Sequence, residues 1–203
     1  MKIAVILFVY NRPKYLRKAL KTHKKIEGLD YYAFIDYSEK QSEIMDLVAD
    51  SRVYDKIYLR LERYGLNRNI TEGITQVFRE YDAVITLEDD LVLSKDTFYF
   101  LVNQLLLLEK DKNCGSVSLY KGAEYEEGNK LLVWATWKDR WERYKFIEGQ
   151  GSQGVQFWRF HKRNNLYCRC SDKKRVKHIG ARGEHFKWYS KFGIRQYLRR
   201  LKW

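Results

Sequence analysis

Residues 70–90, ITEGITQVFREYDAVITLEDD, contain the pattern that decides the fold class. In the first half, apolar residues recur at helical spacing, at Ile70, Ile74, Val77 and Phe78. In the second half, residues 83–87 form a short apolar run, which is typical of a strand buried on both faces. Three carboxylates follow this run, Glu88, Asp89 and Asp90. The segment therefore predicts a helix and then a buried strand that ends in an acidic triplet.

The same alternation extends in both directions from this segment. The predicted strands cover residues 3–10, 32–35, 56–61, 83–87 and 115–119. Between them, helices are predicted after Asn11, which can act as the N-cap with Pro13 in the first turn, and over residues 42–49, 70–81 and 98–108. This order predicts an α/β fold with a mostly parallel central sheet flanked by helices.

Length and composition favour one globular unit. The chain has 203 residues, of which 45% are hydrophobic and 16% are aromatic, which is too much core-forming material for a disordered chain. The longest apolar runs fall far short of the roughly 20 residues that cross a bilayer, and no signal peptide is readable. Three cysteines without zinc-type spacing fit a reducing compartment, so a cytoplasmic location is expected.

The positive charge lies at the C-terminal end. Residues 151–203 hold 15 of the 39 basic residues and only 2 of the 26 acidic ones, so the net charge of +13 arises there. A neutral body with one basic end indicates a localised anionic partner, such as a membrane surface, a polyphosphate or a nucleic acid. A solvated basic tail is the alternative.

Residues 186–203 have the pattern of a basic amphipathic helix. Ile194, Tyr197, Leu198 and Leu201 form an apolar stripe, and basic residues occupy the remaining surface. We expect this helix to lie on an anionic membrane surface, which would place the protein peripherally on the inner face of the cell membrane. Packing of the stripe on the domain or on a second subunit is the alternative. The predicted division is therefore one catalytic domain over residues 1–185 and this helix.

Polar residues follow the predicted strands where a ligand of an open α/β sheet binds. Asn11 and Arg12 follow the first strand, Asp36 follows the second, and the acidic triplet follows the fourth. A hard divalent cation, Mg²⁺ or Mn²⁺, relieves the repulsion among adjacent carboxylates while it binds a diphosphate. An acidic helix N-cap is the alternative reading of the triplet.

Several enzyme classes lack their motifs in this sequence. The first strand is followed by Tyr10-Asn11-Arg12-Pro13 rather than by G-x-G-x-x-G, and no Walker-type lysine loop is present. No acidic residue lies in the first strand, which argues against a phosphatase with an aspartate nucleophile. No G-x-S-x-G elbow is present, so serine-hydrolase chemistry is unsupported.

Five runs together resemble a family. They are VILFVYNRPKYLRKAL (5–20), FIDYSE (34–39), YGLNRNITEGITQVFREYDAVITLEDDLVLSKDTFYFL (64–101), VWATWKDRW (133–141) and NNLYCRCSDKKRVKHIGARGEH (164–185). In this order they resemble nucleotide-sugar glycosyltransferases of the GT-A fold, of the family 2 type. They are more distantly similar to N-acetylglucosaminyltransferase I, whose metal motif is also Glu-Asp-Asp. The stretch 65–100 is the most specific part.

The resemblance implies a role for individual residues. Arg12 would lie near the diphosphate, Asp36 would bond the nucleotide base, and Asp90 would be the direct metal ligand. His185 matches a C-terminal histidine that reaches the metal or the diphosphate in such enzymes, although a lone histidine is often a surface residue. Substrate-binding roles are thus expected for Asn11, Arg12, Asp36, Arg68, Asn69, Glu88, Asp89 and Trp134.

The general base is where this sequence departs from the family pattern. Inverting enzymes of this fold need a carboxylate that deprotonates the acceptor hydroxyl. Related sequences have an acidic residue at the start of the helix after the Trp-Ala-Thr-Trp segment, but residues 151–156 contain none. Glu148 is the first candidate and Asp139 the second, although Asp139 could instead hold Arg140 or Arg143 in an ion pair. Trp134 is a candidate sugar platform, and core packing is the alternative for its neighbour Trp137.

The resulting prediction is a metal-dependent, inverting hexosyl- or N-acetylhexosaminyltransferase. A UDP-sugar is the favoured donor, the acceptor is a glycan or a lipid-linked molecule, and no nucleic acid is expected as a partner. Two alternatives remain open. One is a non-enzymatic basic module that binds a membrane or a polyanion, and the other is a sugar-phosphate nucleotidyltransferase.

Overall fold

The computed structural model describes residues 1–121, 133–144 and 151–180. Within these ranges, strands and helices alternate along the chain. The strands are β1 (Ile3–Val9), β2 (Leu29–Ile35), β3 (Lys56–Leu59), β4 (Ala83–Glu88), β5 (Leu91–Leu93), β6 (Cys114–Lys121), β7 (Trp134–Trp137), β8 (Tyr167–Ser171) and β9 (Val176–His178). The helices are α1 (Pro13–Leu20), α2 (Gln41–Asp50), α3 (Gly65–Val77), α4 (Thr97–Leu108), α5 (Lys138–Trp141) and α6 (Gln153–Arg163).

Seven strands form the central sheet, in the order β3-β2-β1-β4-β7-β6-β8. Strands β3, β2, β1 and β4 run parallel to one another. Strand β7 runs antiparallel to both β4 and β6. Strand β8 is parallel to β6 at the far edge. Strands β5 and β9 form a separate antiparallel pair. The predicted α/β fold with a mostly parallel central sheet is confirmed.

Helices cover both faces of the sheet, which explains why β1 is apolar along its whole length. One face packs against Leu16 of α1, Ile44 of α2 and Leu101 of α4. The opposite face packs against Ile74 of α3 and Phe157 of α6. Every residue of β1 is buried as a result.

Helix α3 approaches the sheet closely at one glycine. A Cβ atom added to Gly73 would lie 2.7 Å from Cε1 of Phe8 and 3.2 Å from the ring of Phe34. Real Cβ atoms do not come this close to a packed ring, so the distance between α3 and the sheet depends on glycine at this position.

Two local predictions differ from the structure. The N-cap of α1 is Arg12 rather than Asn11, and no side chain caps this helix; its first residue, Pro13, needs no hydrogen-bond acceptor for its nitrogen. Trp134 and Trp137 would share a face if their segment were helical, but both lie in β7. Side chains three positions apart in a strand point to opposite faces, and these two rings belong to different core clusters.

Some predictions concern residues outside the described ranges. The predicted loop 124–129 and the C-terminal helix 186–203 belong to this part of the chain. The division into a domain over residues 1–185 and a terminal helix therefore stays a prediction. Within the described ranges, no helix combines the length and the apolar content that a membrane span requires.

Candidate active site

The candidate site lies where the order of the sheet changes direction. The chain passes from β1 to β2 and β3 on one side, and then returns to place β4 on the other side of β1. Between the carboxyl ends of β1 and β4 the loops diverge, which opens a crevice outside the sheet. Arg12 follows β1 and the acidic triplet ends β4, so both flank this crevice.

Arg12 forms ion pairs with two carboxylates of the triplet. Its guanidinium contacts Oδ1 of Asp89, and Nη1 lies 2.7 Å from Oδ2 of Asp90. Asp89 and Asp90 have 2% of their side-chain surface exposed, while Arg12 keeps 26% exposed toward the crevice. Arg12 is therefore the cation that joins the ends of the two central strands.

His178 is a site residue that the sequence interpretation missed. Because Leu91 pairs with His178 in the β5–β9 ladder, the imidazole lies beside Asp90, and Nε2 is 3.2 Å from Oδ2. The backbone N–H of Ile179 also donates to the carbonyl of Asp90, at 2.9 Å. The only sequence signal was a histidine in the run 175–178, RVKH, and nothing in that run indicates pairing with β5.

The charges in this cluster shift one another's proton affinity. Burial, together with the negative charges of Asp90 and Asp89, raises the pKa of Glu88 to about 7. Burial also favours a higher pKa for Asp90. The hydrogen bond from His178 and the charge of Arg12 outweigh this effect, so the pKa of Asp90 is lowered. The same contact with Asp90 raises the pKa of His178. Asp90 is thus held as the ionised carboxylate of the triplet.

One oxygen of Asp90 has no partner within the described part of the chain. Oδ1 is buried and accepts no hydrogen bond there, whereas Oδ2 contacts both Arg12 and His178. Gly180 packs directly on this carboxylate, since a Cβ at that position would lie 1.8 Å from Oδ2. An ionised oxygen without a donor is an electrostatic cost unless a ligand supplies a positive charge or a proton.

Asp36 has a structural role that differs from the predicted one. Its side chain is buried, and Oδ1 accepts hydrogen bonds from the backbone N–H groups of Tyr37 and Tyr64, at 2.9 and 2.8 Å. Oδ2 accepts a third from Gly65, at 2.8 Å. The carboxylate anchors the start of α3 to the end of β2. Three backbone donors bind the two carboxylate oxygens, and the contact of Asp36 with the nucleotide base stays a prediction.

The two predicted pocket residues of α3 differ in their exposure and in their partners. Asn69 is buried, accepts from Nε of Arg60 at 2.9 Å, and donates to the carbonyl of Phe34. Arg68 is exposed and forms ion pairs with Glu62 and Glu72. Asn69 thus has protein partners for its amide oxygen and its amide nitrogen, and its expected contact with the donor stays a prediction. Arg68 stays accessible, at the start of α3.

Two predicted residues of the tryptophan segment have contacts within the described protein. Trp134 is 4% exposed and packs against Phe157 in the core, so it offers no open face to a sugar. Asp139 follows β7, which runs antiparallel to β4 and pairs Trp137 with Ala83 at the amino end of β4. Asp139 therefore lies at the edge opposite the triplet. There it forms ion pairs with Lys112 and Arg140, which is the alternative that the sequence left open.

The remaining predicted residues divide into two groups. Asn11 is partly exposed in the bend after β1, next to Arg12 and thus near the crevice. Glu148 and His185 lie outside the described residues. Their predicted roles, as general base and as metal or diphosphate ligand, stay predictions.

Comparison with protein families identifies one match over most of the chain. The family model described as Glycosyl transferase family 2 matches residues 4–176 of this 203-residue chain. The match includes β1, the acidic triplet and the first residue of β9. A search of curated proteins found no match.

Solved structures share the fold at low sequence identity. The mannosyltransferase PcManGT from Pyrobaculum calidifontis, in complex with GDP-Man and Mn²⁺, is 15% identical, with a TM-score of 0.73 over 92% of this chain and 59% of that chain. Residues 1–349 of S. aureus TarS are 16% identical, with a TM-score of 0.63 over 89% of this chain and 61% of that chain. The chain thus spans about three fifths of each of these two relatives.

A nucleotidyltransferase-type structure is also similar. The 4-diphosphocytidyl-2C-methyl-D-erythritol synthase from Anaerococcus prevotii is 15% identical, with a TM-score of 0.58 over 98% of this chain and 96% of that chain. At these identities a structural likeness establishes the fold alone. The matched structures support a GT-A type α/β fold for this chain.

Proposed function

The chain belongs to glycosyl transferase family 2, and on that premise we propose that it transfers a sugar from a nucleoside-diphosphate donor to an acceptor hydroxyl. One observation carries this proposal. Glu88, Asp89 and Asp90 meet Arg12 and His178 at the point where the strand order reverses, which is where a doubly wound sheet binds phosphorylated ligands. Arg12 and His178 offer positive charge to a diphosphate, and Asp90 offers a carboxylate to a cation.

A divalent metal fits the donor atoms at this site. Within residues 1–121, 133–144 and 151–180, no three histidine, cysteine or acidic side chains converge into a ready-made cation site. Mg²⁺ and Mn²⁺ do not need such a cage, because they bind through one or two carboxylates together with the substrate phosphates. The unpartnered Oδ1 of Asp90 is a suitable oxygen ligand. When bound, the metal would neutralise the charge that develops on the diphosphate leaving group.

The chain's own residues would position the donor. Arg12 is partly exposed and can shift a guanidinium N–H from Asp90 to a phosphate oxygen, because its second ion pair with Asp89 holds it in place. His178 keeps Asp90 ionised and oriented. Asp36 would act indirectly, because its carboxylate holds the backbone of Tyr64 and Gly65 at the start of α3.

The finer features of the reaction belong to the proposal as well. Inversion requires a base on the acceptor side, and Glu148 is the proposed residue. The complexes titled with GDP-Man and with UDP support a nucleoside-diphosphate donor, so UDP-sugars and GDP-sugars are the two classes to test. The proposed acceptor is a glycan or a lipid-linked molecule, and the transferred group is a hexose or an N-acetylhexosamine.

The nucleotidyltransferase alternative has fold similarity in its favour but lacks a matching loop. Such enzymes cradle a triphosphate in a glycine-rich loop after the first strand. Here only Tyr10, Asn11 and Arg12 separate β1 from Pro13, the first residue of α1. Arg12 is paired with Asp89 and Asp90. No glycine lies in this turn to bring backbone N–H groups close to a triphosphate.

The experiment is a thermal-shift panel of UDP, GDP and CTP, each with and without Mn²⁺. A ligand that binds only the folded state raises stability by about 2.7 kcal/mol at 100 times its dissociation constant. We expect UDP or GDP to stabilise the wild type only with Mn²⁺. Asp90→Asn should lose this effect. Asp82→Asn is the matched control, because Asp82 lies at the other end of β4, where its carboxylate accepts from the N–H of Lys2.

Three outcomes would contradict the proposal or its assignment of the metal ligand. Stabilisation by CTP alone would favour nucleotidyl transfer. The absence of any shift with UDP, GDP and CTP, with a folded protein, would favour the non-enzymatic binding module. A metal-dependent shift that persists unchanged in Asp90→Asn would remove Asp90 as the metal ligand.

A further inference from the structure

Helix α4 carries large apolar residues on its outer face as well as on its inner face, and Asn103 is an exposed polar residue among them. Phe98, Leu101 and Leu105 are buried in the core. On the solvent side, Tyr99, Leu106 and Leu107 are 65%, 53% and 67% exposed. With about 3.6 residues per turn, these three positions lie on the arc opposite Leu101. The twelve residues of α4 include no charged side chain, whereas the outer face of a surface helix is normally polar.

Basic side chains border this face at both ends of α4. Lys95 precedes the helix and Lys110 follows it, and both are exposed. Lys174 lies on the turn that packs against the first residues of α4, where Thr97 Oγ1 donates to the carbonyl of Arg175 at 3.0 Å. No ion pair joins these three lysines to another residue within the described ranges. Glu109 and Asp111 adjoin Lys110, so three lysines against two carboxylates leave this border positive by one charge.

The nearest acidic residue at the start of α4 is already neutralised. Asp96 pairs with Lys173 at 2.8 Å and with Arg175 at 3.2 Å. The guanidinium of Arg175 also lies over the ring of Phe100, 4.0 Å from its centroid. The lysines at the border are therefore available to an external anion.

We propose that the outer face of α4 docks on an anionic lipid bilayer. Tyr99, Leu106 and Leu107 enter the boundary between headgroups and acyl chains, and the bordering lysines contact lipid phosphates. This inference rests on exposed surface and charge and is independent of the transferase activity proposed above. It also concerns an element different from residues 186–203.

A second copy of the chain fits this surface less well than a bilayer does. A stable interface buries about 800 Å² on each partner. A helix of twelve residues is only about 18 Å long and about 10 Å wide, so its exposed strip is several times smaller than that. Bringing two such faces together would also oppose like-charged lysines. A bilayer has no minimum contact area, and its anionic phosphates match the border.

The test is co-sedimentation of the full chain with vesicles. One set contains phosphatidylcholine alone and the other contains phosphatidylcholine with phosphatidylglycerol. We expect binding to the anionic set at low salt, and a decrease of about tenfold or more in Leu106→Ser/Leu107→Ser, because full burial of one leucine is worth about a factor of ten. Leu61→Ser/Leu66→Ser is the matched control. These leucines are 94% and 42% exposed, in the β3–α3 connection and in α3, which packs on the other face of the sheet.

A fluorescence measurement separates a bilayer from the other occupants. Cys114, Cys168 and Cys170 are buried, so Leu107→Cys offers one exposed thiol for an environment-sensitive dye. Anionic vesicles should shift its emission to the blue, while phosphatidylcholine alone should not. Unfolding curves of every variant check that the fold is intact.

Three outcomes overturn the inference. Equal sedimentation of the wild type and Leu106→Ser/Leu107→Ser would assign any vesicle binding to another part of the chain. A dye emission that is already blue without vesicles, at every protein concentration, would mean that a segment of the chain covers α4. A blue shift that grows with protein concentration alone would assign the face to a second copy.

Discussion

Nε2 of His178 lies 3.2 Å from Oδ2 of Asp90, although the two residues are 88 positions apart in the sequence. The β5–β9 ladder creates this contact, because it places His178 opposite Leu91, the residue after Asp90. Arg12 approaches the same oxygen from the end of β1. Asp90 is therefore oriented by Arg12 and His178 from different parts of the fold, and its second oxygen is buried without a partner in the described structure.

The first prediction concerns His178 as a positioning residue. His178→Ala should weaken Mn²⁺-dependent nucleotide binding by about 10- to 100-fold, the usual cost of losing a partner that orients a ligand carboxylate. Titration calorimetry with UDP or GDP and Mn²⁺ measures the change. Lys177→Ala is the matched control, because Lys177 neighbours His178 in β9 and its side chain points to the other face of that strand. Equal affinities in the two variants would show that Asp90 does not depend on the imidazole.

The second prediction concerns the contact of α3 with the sheet. Replacing glycine by alanine in a helix normally stabilises it by about 1 kcal/mol. Gly73→Ala should instead destabilise the protein by about 1 to 3 kcal/mol, since the new methyl group would meet the rings of Phe8 and Phe34. Urea denaturation measures the free energy of unfolding. Gln76→Ala, at a partly exposed position of the same helix, should change it by less than about 0.5 kcal/mol. A gain in stability with Gly73→Ala would contradict the packing described above.

The third prediction is a loss of stability in mild acid. His161 is buried, with Nδ1 2.8 Å from the carbonyl of Phe157 and Nε2 3.0 Å from Oγ of Ser116. Burial lowers the pKa of His161 to about 4, and burial does the same for His23. The unfolded chain, with a histidine pKa of about 6.5, binds more protons than the folded one between pH 6.5 and 4. Stability should therefore fall as the pH drops through this window, by up to about 1.4 kcal/mol per pH unit for each histidine.

The variant His161→Gln tests the assignment of this acid sensitivity. Glutamine does not titrate, so the variant should be less stable at pH 7 but lose less stability between pH 6.5 and 4. Chemical denaturation at a series of pH values gives both quantities. Parallel curves for the wild type and the variant would mean that His161 does not contribute to the pH dependence.

The fourth prediction concerns the general base. Since Asp139 lies at the opposite edge of the sheet, Glu148 is the remaining candidate from the sequence. Glu148→Gln should lower kcat by about 10² to 10⁴ and leave donor affinity nearly unchanged, because a base acts on the acceptor hydroxyl in the transition state. Glu142→Gln, an exposed carboxylate at the end of α5, is the control and should retain turnover. Wild-type kcat in Glu148→Gln would show that another residue, or the substrate itself, accepts the proton.

The periodicity of the sequence was sufficient to predict the order of the parallel strands and helices along the chain. Residues 3–10 are apolar without interruption and residues 83–87 are apolar apart from Thr86, which favours burial on both faces and therefore helices on both sides of a parallel sheet. Because parallel strands end at one edge, the sequence also determined that Arg12 and the acidic triplet meet there. These inferences depend on patterns within about ten residues. The conformational preferences of such short segments do not depend on contacts with distant parts of the chain.

Only the tertiary structure decided the direction of β7, the partner of β5 and the hydrogen bonds of Asp36. The antiparallel direction of β7 moves Asp139 to the opposite edge, and the β5–β9 pair adds His178 to the site. Asp36 is bound by backbone N–H groups of Tyr64 and Gly65, almost thirty residues away. The physical reason is the same in each case. Strand direction and pairing minimise the free energy of contacts between segments far apart in the chain, and no periodicity within one segment encodes which distant backbone it will meet.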